Sequence, residues 1–195
     1  DLTAATTDNA GQVMAKVLAL HGDLVNSGLL QGDDSLALTG QTLTNSAGRQ
    51  MLSAGNTTLD AGTLDNRGEL QANTLDVTAG DWTNGGTARA TDSLTAALSG
   101  TLNNSGTLRS TQALGLNATE IANSGILAAD RLSLSAPQLS NSGILQGKSA
   151  LTLSPDTLRN LRSGELLRGS GLALTLASLP TNGRLHVGGT FGLKA

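Results

Sequence analysis

The chain has 195 residues, a formal net charge of −3, 14% charged residues and no cysteine, which suits one domain and shows no acidic or basic extreme that would name a partner. The absent cysteines exclude a disulfide framework, a thiolate zinc site, an iron–sulfur cluster and a cysteine nucleophile. Trp82 and Phe191 are the only aromatic side chains, so a conventional globular core is not expected.

No apolar run approaches the roughly 20 residues that span a bilayer, and the opening Asp1-Leu2-Thr3 is not a basic leader. No transmembrane segment is expected, and the chain reads as an internal or processed piece of a longer one. Its first half is acidic and its second half basic.

In chain order, Asn-x-Gly recurs at Asn9/Gly11, Asn26/Gly28, Asn66/Gly68, Asn84/Gly86, Asn104/Gly106, Asn123/Gly125 and Asn141/Gly143. Looser copies fill the gaps: Asn45-Ser-Ala-Gly48 with one extra residue, Asn160-Leu-Arg-Ser-Gly164 with two, and Asn182-Gly183 with one fewer. The spacing averages about 19 residues, which makes ten units over residues 1–195, a single repeat segment.

Each unit places apolar residues at fixed offsets from its Asn. A first column runs Leu24, Leu43, Leu64, Trp82, Leu102, Ile121, Leu139, Leu158. A second runs Val13, Leu30, Leu52, Leu70, Ala88, Leu108, Leu127, Leu145, Leu167, Leu185. A third reads Leu18, Leu36, Leu59, Leu75, Leu94, Leu114, Leu132, Leu151, Leu172, Phe191, and a fourth Leu20, Leu38, Ala61, Val77, Ala96, Leu116, Leu134, Leu153, Leu174, Leu193.

Alternation such as Leu132-Ser-Leu-Ser135 has the two-residue period of a strand. Strands this short cannot hide their apolar faces alone, but stacked units place Leu upon Leu and make one interior. Three strands and three turns fit into about 19 residues, so the expected fold is all-β: a right-handed parallel β-helix of about ten coils. Gly in the turns is expected to supply positive φ, Asn to tolerate the left-handed region, and stacked asparagines to bond from coil to coil. Pro137, Pro155 and Pro180 fall where turns are expected. A leucine-rich repeat would set its Asn three residues after Leu-x-Leu, whereas Leu38 and Asn45 are seven apart.

The pattern Leu-x-Asn-x-Gly-x-Leu-x-Ala followed by Leu-x-Leu-x-Ala, as in Ile121-Ala-Asn-Ser-Gly-Ile-Leu-Ala-Ala-Asp-Arg-Leu-Ser-Leu-Ser-Ala136, resembles the filamentous haemagglutinin repeat over essentially the whole chain. The resemblance implies a large Gram-negative exoprotein exported by two-partner secretion, either a filamentous adhesin or a contact-dependent growth-inhibition toxin. It also implies a β-helical shaft at the cell surface and an outer-membrane transporter as partner of the full-length protein. The Asn-Pro-Asn element of the secretion domain and the Val-Glu-Asn-Asn junction before the toxin are both absent, so neither export signal nor toxicity is expected of these residues.

Candidate sites are few. His21 and His186 lie at opposite ends with no further ligand at metal spacing, and no phosphate-cradling glycine loop occurs. No metal, cofactor or nucleic acid is expected. Asp33-Asp34 reads as a solvated turn. Asp60, Asp65, Glu69, Asp76 and Asp81 fall in neighbouring units beside Trp82, the elements a polysaccharide-active β-helical enzyme would need, but Trp82 occupies an apolar column.

The structural turns are assigned to Asn26, Gly28, Asn66, Gly68, Asn84, Gly86, Asn104, Gly106, Asn123, Gly125, Asn141 and Gly143. An outward position after the second column reads Gln31, Gln71, Arg89, Arg109, Gln146, Arg168. Arg159, Arg162 and Arg168 are expected to form a strip for an anionic glycan. The expected function is a non-enzymatic shaft of a secreted adhesin or inhibition exoprotein that presents distal domains. The alternative is a direct surface for a glycan or a host or bacterial receptor. End-to-end association of exposed coil edges is also expected.

Overall fold

The computed structural model describes residues 1–169, 172–175, 182–188 and 191–194. Nineteen strands and no helix occur among them, so no helix is long and apolar enough to cross a membrane. Seventeen strands join one sheet and two a second, and each pairing is parallel, strand upon strand of the next coil.

One coil is seen cleanly in Thr101–Asn104, Thr107–Ser110 and Ala113–Asn117. These define three faces of a rod. The first ends at the Asn, the second follows the Gly, and the third carries Leu-x-Leu. In other coils the corners stay hydrogen-bonded and the faces run together, as in Leu29–Asn45 and Ile126–Ser135.

Alternate side chains on each face point inward, and the first column lies in register and buried from Leu24 to Leu158 with Trp82 among the leucines. The coil that holds Trp82 carries Ala88, Ala90 and Ala96 on its other faces, so the bulk of one indole is balanced by small residues in the same layer.

As far as Leu151 and Leu153 the other columns match the expected ones except where a unit departs from the common length, and Leu185, in register with Leu166, is exposed. In the second column Met51 and Leu166 pair with Leu30 and Leu145, displacing the expected Leu52 and Leu167 outward. Both errors follow a lengthened turn. Arg49, not Gly48, takes the place of the repeat Gly, since Glu69 N donates to Arg49 O as Leu29 N does to Gly11 O. The turn after Asn45 thus holds two extra residues, not one. In the third column Thr57 pairs with Leu36 and Leu75, and Leu59 moves to the fourth with Leu38 and Val77. Ala61 then heads a further buried column with Ala79 and Leu98.

Glycine serves a different purpose from the expected one. Among the described residues only Gly22 and Gly48 have positive φ, and no asparagine does. The repeat glycines are needed for close approach: a Cβ on Gly106 would collide with the Gly86 carbonyl oxygen, and one on Gly125 with that of Gly106. Each of these oxygens accepts from the N–H just past the next glycine, Thr107 N to Gly86 O and Ile126 N to Gly106 O, both within 2.9 Å. Pro137 and Pro155 sit in turns between the third face and the next first face; Pro180 lies outside the described residues.

Candidate functional site

Between the first and second faces the chain turns over a buried asparagine in each coil from Asn9 to Asn160. Asn9, Asn26, Asn45, Asn66, Asn84, Asn104, Asn123, Asn141 and Asn160 are stacked, each Nδ2 donating to the Oδ1 of the next at 2.7 to 2.9 Å. All nine are at most 6% exposed. The eight steps, at about 4.8 Å each, run roughly 40 Å along the rod.

Most of the amides also bond to the backbone of their own turn or of the next coil. Asn104 Nδ2 reaches the carbonyls of Gly106 and Ile126 at 3.3 Å, and Asn26 Oδ1 accepts from Gly28 N at 3.3 Å. A buried amide needs about this many partners to offset its desolvation. The turn residues Asn26, Gly28, Asn66, Gly68, Asn84, Gly86, Asn104, Gly106, Asn123, Gly125, Asn141 and Gly143 therefore fall in one continuous ladder. The looser copies at Asn45 and Asn160 join it, whereas Asn182 is exposed.

The three arginines expected in one strip lie on different parts of the rod. Arg159 is exposed on the first face and Arg162 in the lengthened turn after Asn160. Arg168 is half-buried on the second face, paired in register with Gly147 and not with the outward Gln146. Because Leu166 takes the inward position, the outward column reads Gln31, Leu52, Gln71, Arg89, Arg109, Ala128, Gln146, Leu167, His186. Arg168 Nη2 bends back to the Ser149 carbonyl at 3.2 Å.

The carboxylates considered for catalysis are dispersed. Asp65 pairs with Arg67 at 2.8 Å, Glu69 accepts from Gln50 at 3.0 Å, and Asp76 accepts from Thr95, while Trp82 is fully buried. Asp81 accepts from Thr101 N at 2.7 Å, and Asp23 likewise holds Gln41 N and Thr42 N at 2.8 and 2.9 Å. This corner-capping role was missed in the sequence, although Gly22-Asp23 and Gly80-Asp81 mark it. Asp33 accepts from Gln31 at 2.7 Å, Asp34 lies 3.5 Å from Lys16, and His21 lies 3.4 Å from Asp1. No group of three or more metal-ligating side chains forms among the described residues.

Inward leucine columns on three parallel faces, keyed by one buried amide per coil, define a β-solenoid repeat protein. The chain belongs to the haemagglutinin repeat family, whose model matches residues 1–81, 70–136 and 127–195. It is 33% identical to the Toxin CdiA of Escherichia coli, over 95% of this chain and 7% of that protein. It is 40% identical to the 16S rRNA endonuclease CdiA of Enterobacter cloacae subsp. cloacae, over 56% of this chain and 3% of that protein. With the Deoxyribonuclease CdiA of Dickeya dadantii it shares 44% identity, over 55% of this chain and 3% of that protein. The chain thus spans less than a tenth of the curated relatives it matches. No solved structure matches it.

Proposed function

We propose that the chain is a segment of the shaft of a secreted exoprotein, a rod that holds distal domains away from the surface of a Gram-negative cell. The observation that carries this reading is the unbroken ladder from Asn9 to Asn160, which locks successive coils in one register along the rod. A parallel stack needs no partner to complete its interior, and its length grows by one rise for each coil added. The dispersal of the carboxylates supports a mechanical role over a catalytic one. The nuclease and toxin activities of the relatives' names are not assigned to this segment.

The parent protein on this reading passes through an outer-membrane two-partner secretion transporter as an extended chain. It then folds outside, coil upon coil, since each added coil finds a finished template below it. The family membership and the repeat architecture support that route.

The test is an in-register deletion of the segment from the parent exoprotein. The expected result is normal export, retained activity of the distal domains, and a fibre shorter by about 48 Å, one rise of about 4.8 Å for each of the ten coils removed, in electron micrographs. Loss of target-cell binding with the activity of the separated distal domains intact would overturn the shaft reading in favour of a receptor-contacting surface.

A further inference from the structure

We propose that the groove along the corner between the second and third faces, lined by Arg109, Gln146, Lys148 and Arg168, binds a linear polysaccharide carrying sulfate or carboxylate groups. This goes beyond the shaft reading and does not rest on it.

Two hollows meet there. One of about 340 Å³ lies between Arg109, Asp130 and Lys148, and the next, of about 300 Å³, between Lys148, Arg168 and His186. Gln146 and Lys148 line both, so they form one groove that crosses five coils, roughly 19 Å at about 4.8 Å per step. Its floor is small. Ala128, although in the outward column, is 7% exposed, and Ala129 is 8% exposed, while at Gly147 the chain folds so tightly that a Cβ would strike the Ala150 carbonyl oxygen. Longer side chains from the coils on either side stand up as walls.

The walls offer donors. Arg109 and Lys148 are exposed, and among the described residues neither they nor Arg168 has a carboxylate within ion-pair distance. The one acid in the groove, Asp130, is engaged by Ser149, whose Oγ lies 2.6 Å from Asp130 Oδ2. At the same corner near the amino-terminal end the cation is paired, Lys16 with Asp34 at 3.5 Å. Arg168 is held in place by its bond to Ser149 O, and its Nε is shielded with no acceptor from the protein. A guanidinium fixed at one edge loses less freedom when its other edge meets an oxyanion.

The chemistry narrows the ligand. Guanidinium, ammonium and amide donors spaced along a groove suit oxyanions repeated along a chain; Arg109 and Gln146, two coils apart in one outward column, stand about 10 Å from each other. No Trp, Tyr or Phe lines the groove and its single imidazole, His186, stands at one end, so there is no run of platforms for successive sugar rings or nucleobases. Recognition must act through charged substituents, which disfavours neutral glycans and single-stranded nucleic acid.

The test measures binding of the full 195-residue chain to a heparin-derived octasaccharide and to an oligogalacturonate, with neutral dextran and single-stranded DNA as comparisons. R109A/K148A/R168A is expected to weaken binding at least about tenfold, and R159A/R162A, which removes arginines outside the groove, less than about twofold. Arg168→Ala truncates a half-buried side chain, so R109A/K148A, both exposed, carries the test if the triple variant does not fold. Binding of either oxyanion-bearing oligosaccharide with this variant pattern supports the proposal and tells sulfate from carboxylate. The proposal is overturned if neither binds, if both variants lose affinity in proportion to the charge removed, or if single-stranded DNA binds the groove as tightly.

Discussion

Asn104 donates to the Oδ1 of Asn123 at 2.7 Å, with both side chains 2% exposed, and the same bond recurs in every coil from Asn9 to Asn160. All the amides point the same way, so each polarises the next. The ladder is therefore directional: each interior member both accepts from one amide and donates to the next, whereas Asn9 only donates along it and Asn160 only accepts.

Breaking it in the middle is costly. Asn104→Ala deletes the bonds to Asn123, Gly106 and Ile126 and the acceptor for Asn84; a loss of about 3 kcal/mol is expected. Asn9→Ala, at the end where no amide donates to it from below, costs about 1 kcal/mol. Asn104→Asp is expected to be worse than Ala at neutral pH, because a carboxylate cannot donate to Asn123 and brings a buried charge. Urea unfolding followed by Trp82 fluorescence checks the order; equal losses at Asn9 and Asn104 would show the ladder is not cooperative.

Glycine substitutions separate two kinds of position. A Cβ at Gly106 would strike the Gly86 carbonyl oxygen, whereas at Gly115 it would meet nothing within 4 Å. Gly106→Ala must therefore push two coils apart and is expected to cost at least about 2 kcal/mol. Gly115→Ala sits in a strand, at ordinary φ, and is expected to be neutral or to stabilise by about 0.5 kcal/mol. Thermal midpoints of the two variants decide the matter, and a harmless Gly106→Ala would mean that the coils yield more readily than the ladder implies.

Thr57 interrupts a leucine column. Its side chain is buried, its hydroxyl has no hydrogen-bond partner, and Leu36 and Leu75 lie above and below it in register. Thr57→Val keeps the volume and removes a stranded polar group, so a gain of about 1 kcal/mol is expected. A loss of stability in the same denaturation assay would show that the hydroxyl has found a partner.

Much of this architecture was legible in the sequence because period-two alternation and a recurrent Asn fix both face and phase. Legibility failed where length or polarity broke the pattern. After Asn45 and Asn160 the extra residues leave the offset from the Asn undefined, and the sequence pattern favoured Leu52 and Leu167 where register selects Met51 and Leu166. At Thr57 hydrophobicity favoured Leu59, but backbone pairing fixes the column whatever residue occupies it. The same one-residue slip made Arg168 look like part of an outward strip. The corner groove was invisible for another reason: its floor is made by Ala128 and Ala129 being small, a signal that alternation does not carry.

Trp82 and Ala88 occupy one coil, and each has the wrong size for its column, Trp among leucines and Ala among leucines. If the layer conserves volume, the two residues are coupled. Ala88→Leu alone overfills the coil and is expected to cost 1–3 kcal/mol, while Trp82→Leu alone leaves a void costing about 2–4 kcal/mol. Together they restore the composition of the flanking coils, and the double variant is expected to be more stable than the sum of the single losses by at least about 1 kcal/mol. The indole Nε1, buried without a partner, is removed in the same step, which adds to the recovery. Because Trp82 is the only tryptophan and the chain has no tyrosine, this cycle must be followed by far-ultraviolet circular dichroism. Strictly additive losses would mean that the alanines of this coil do not compensate for its indole.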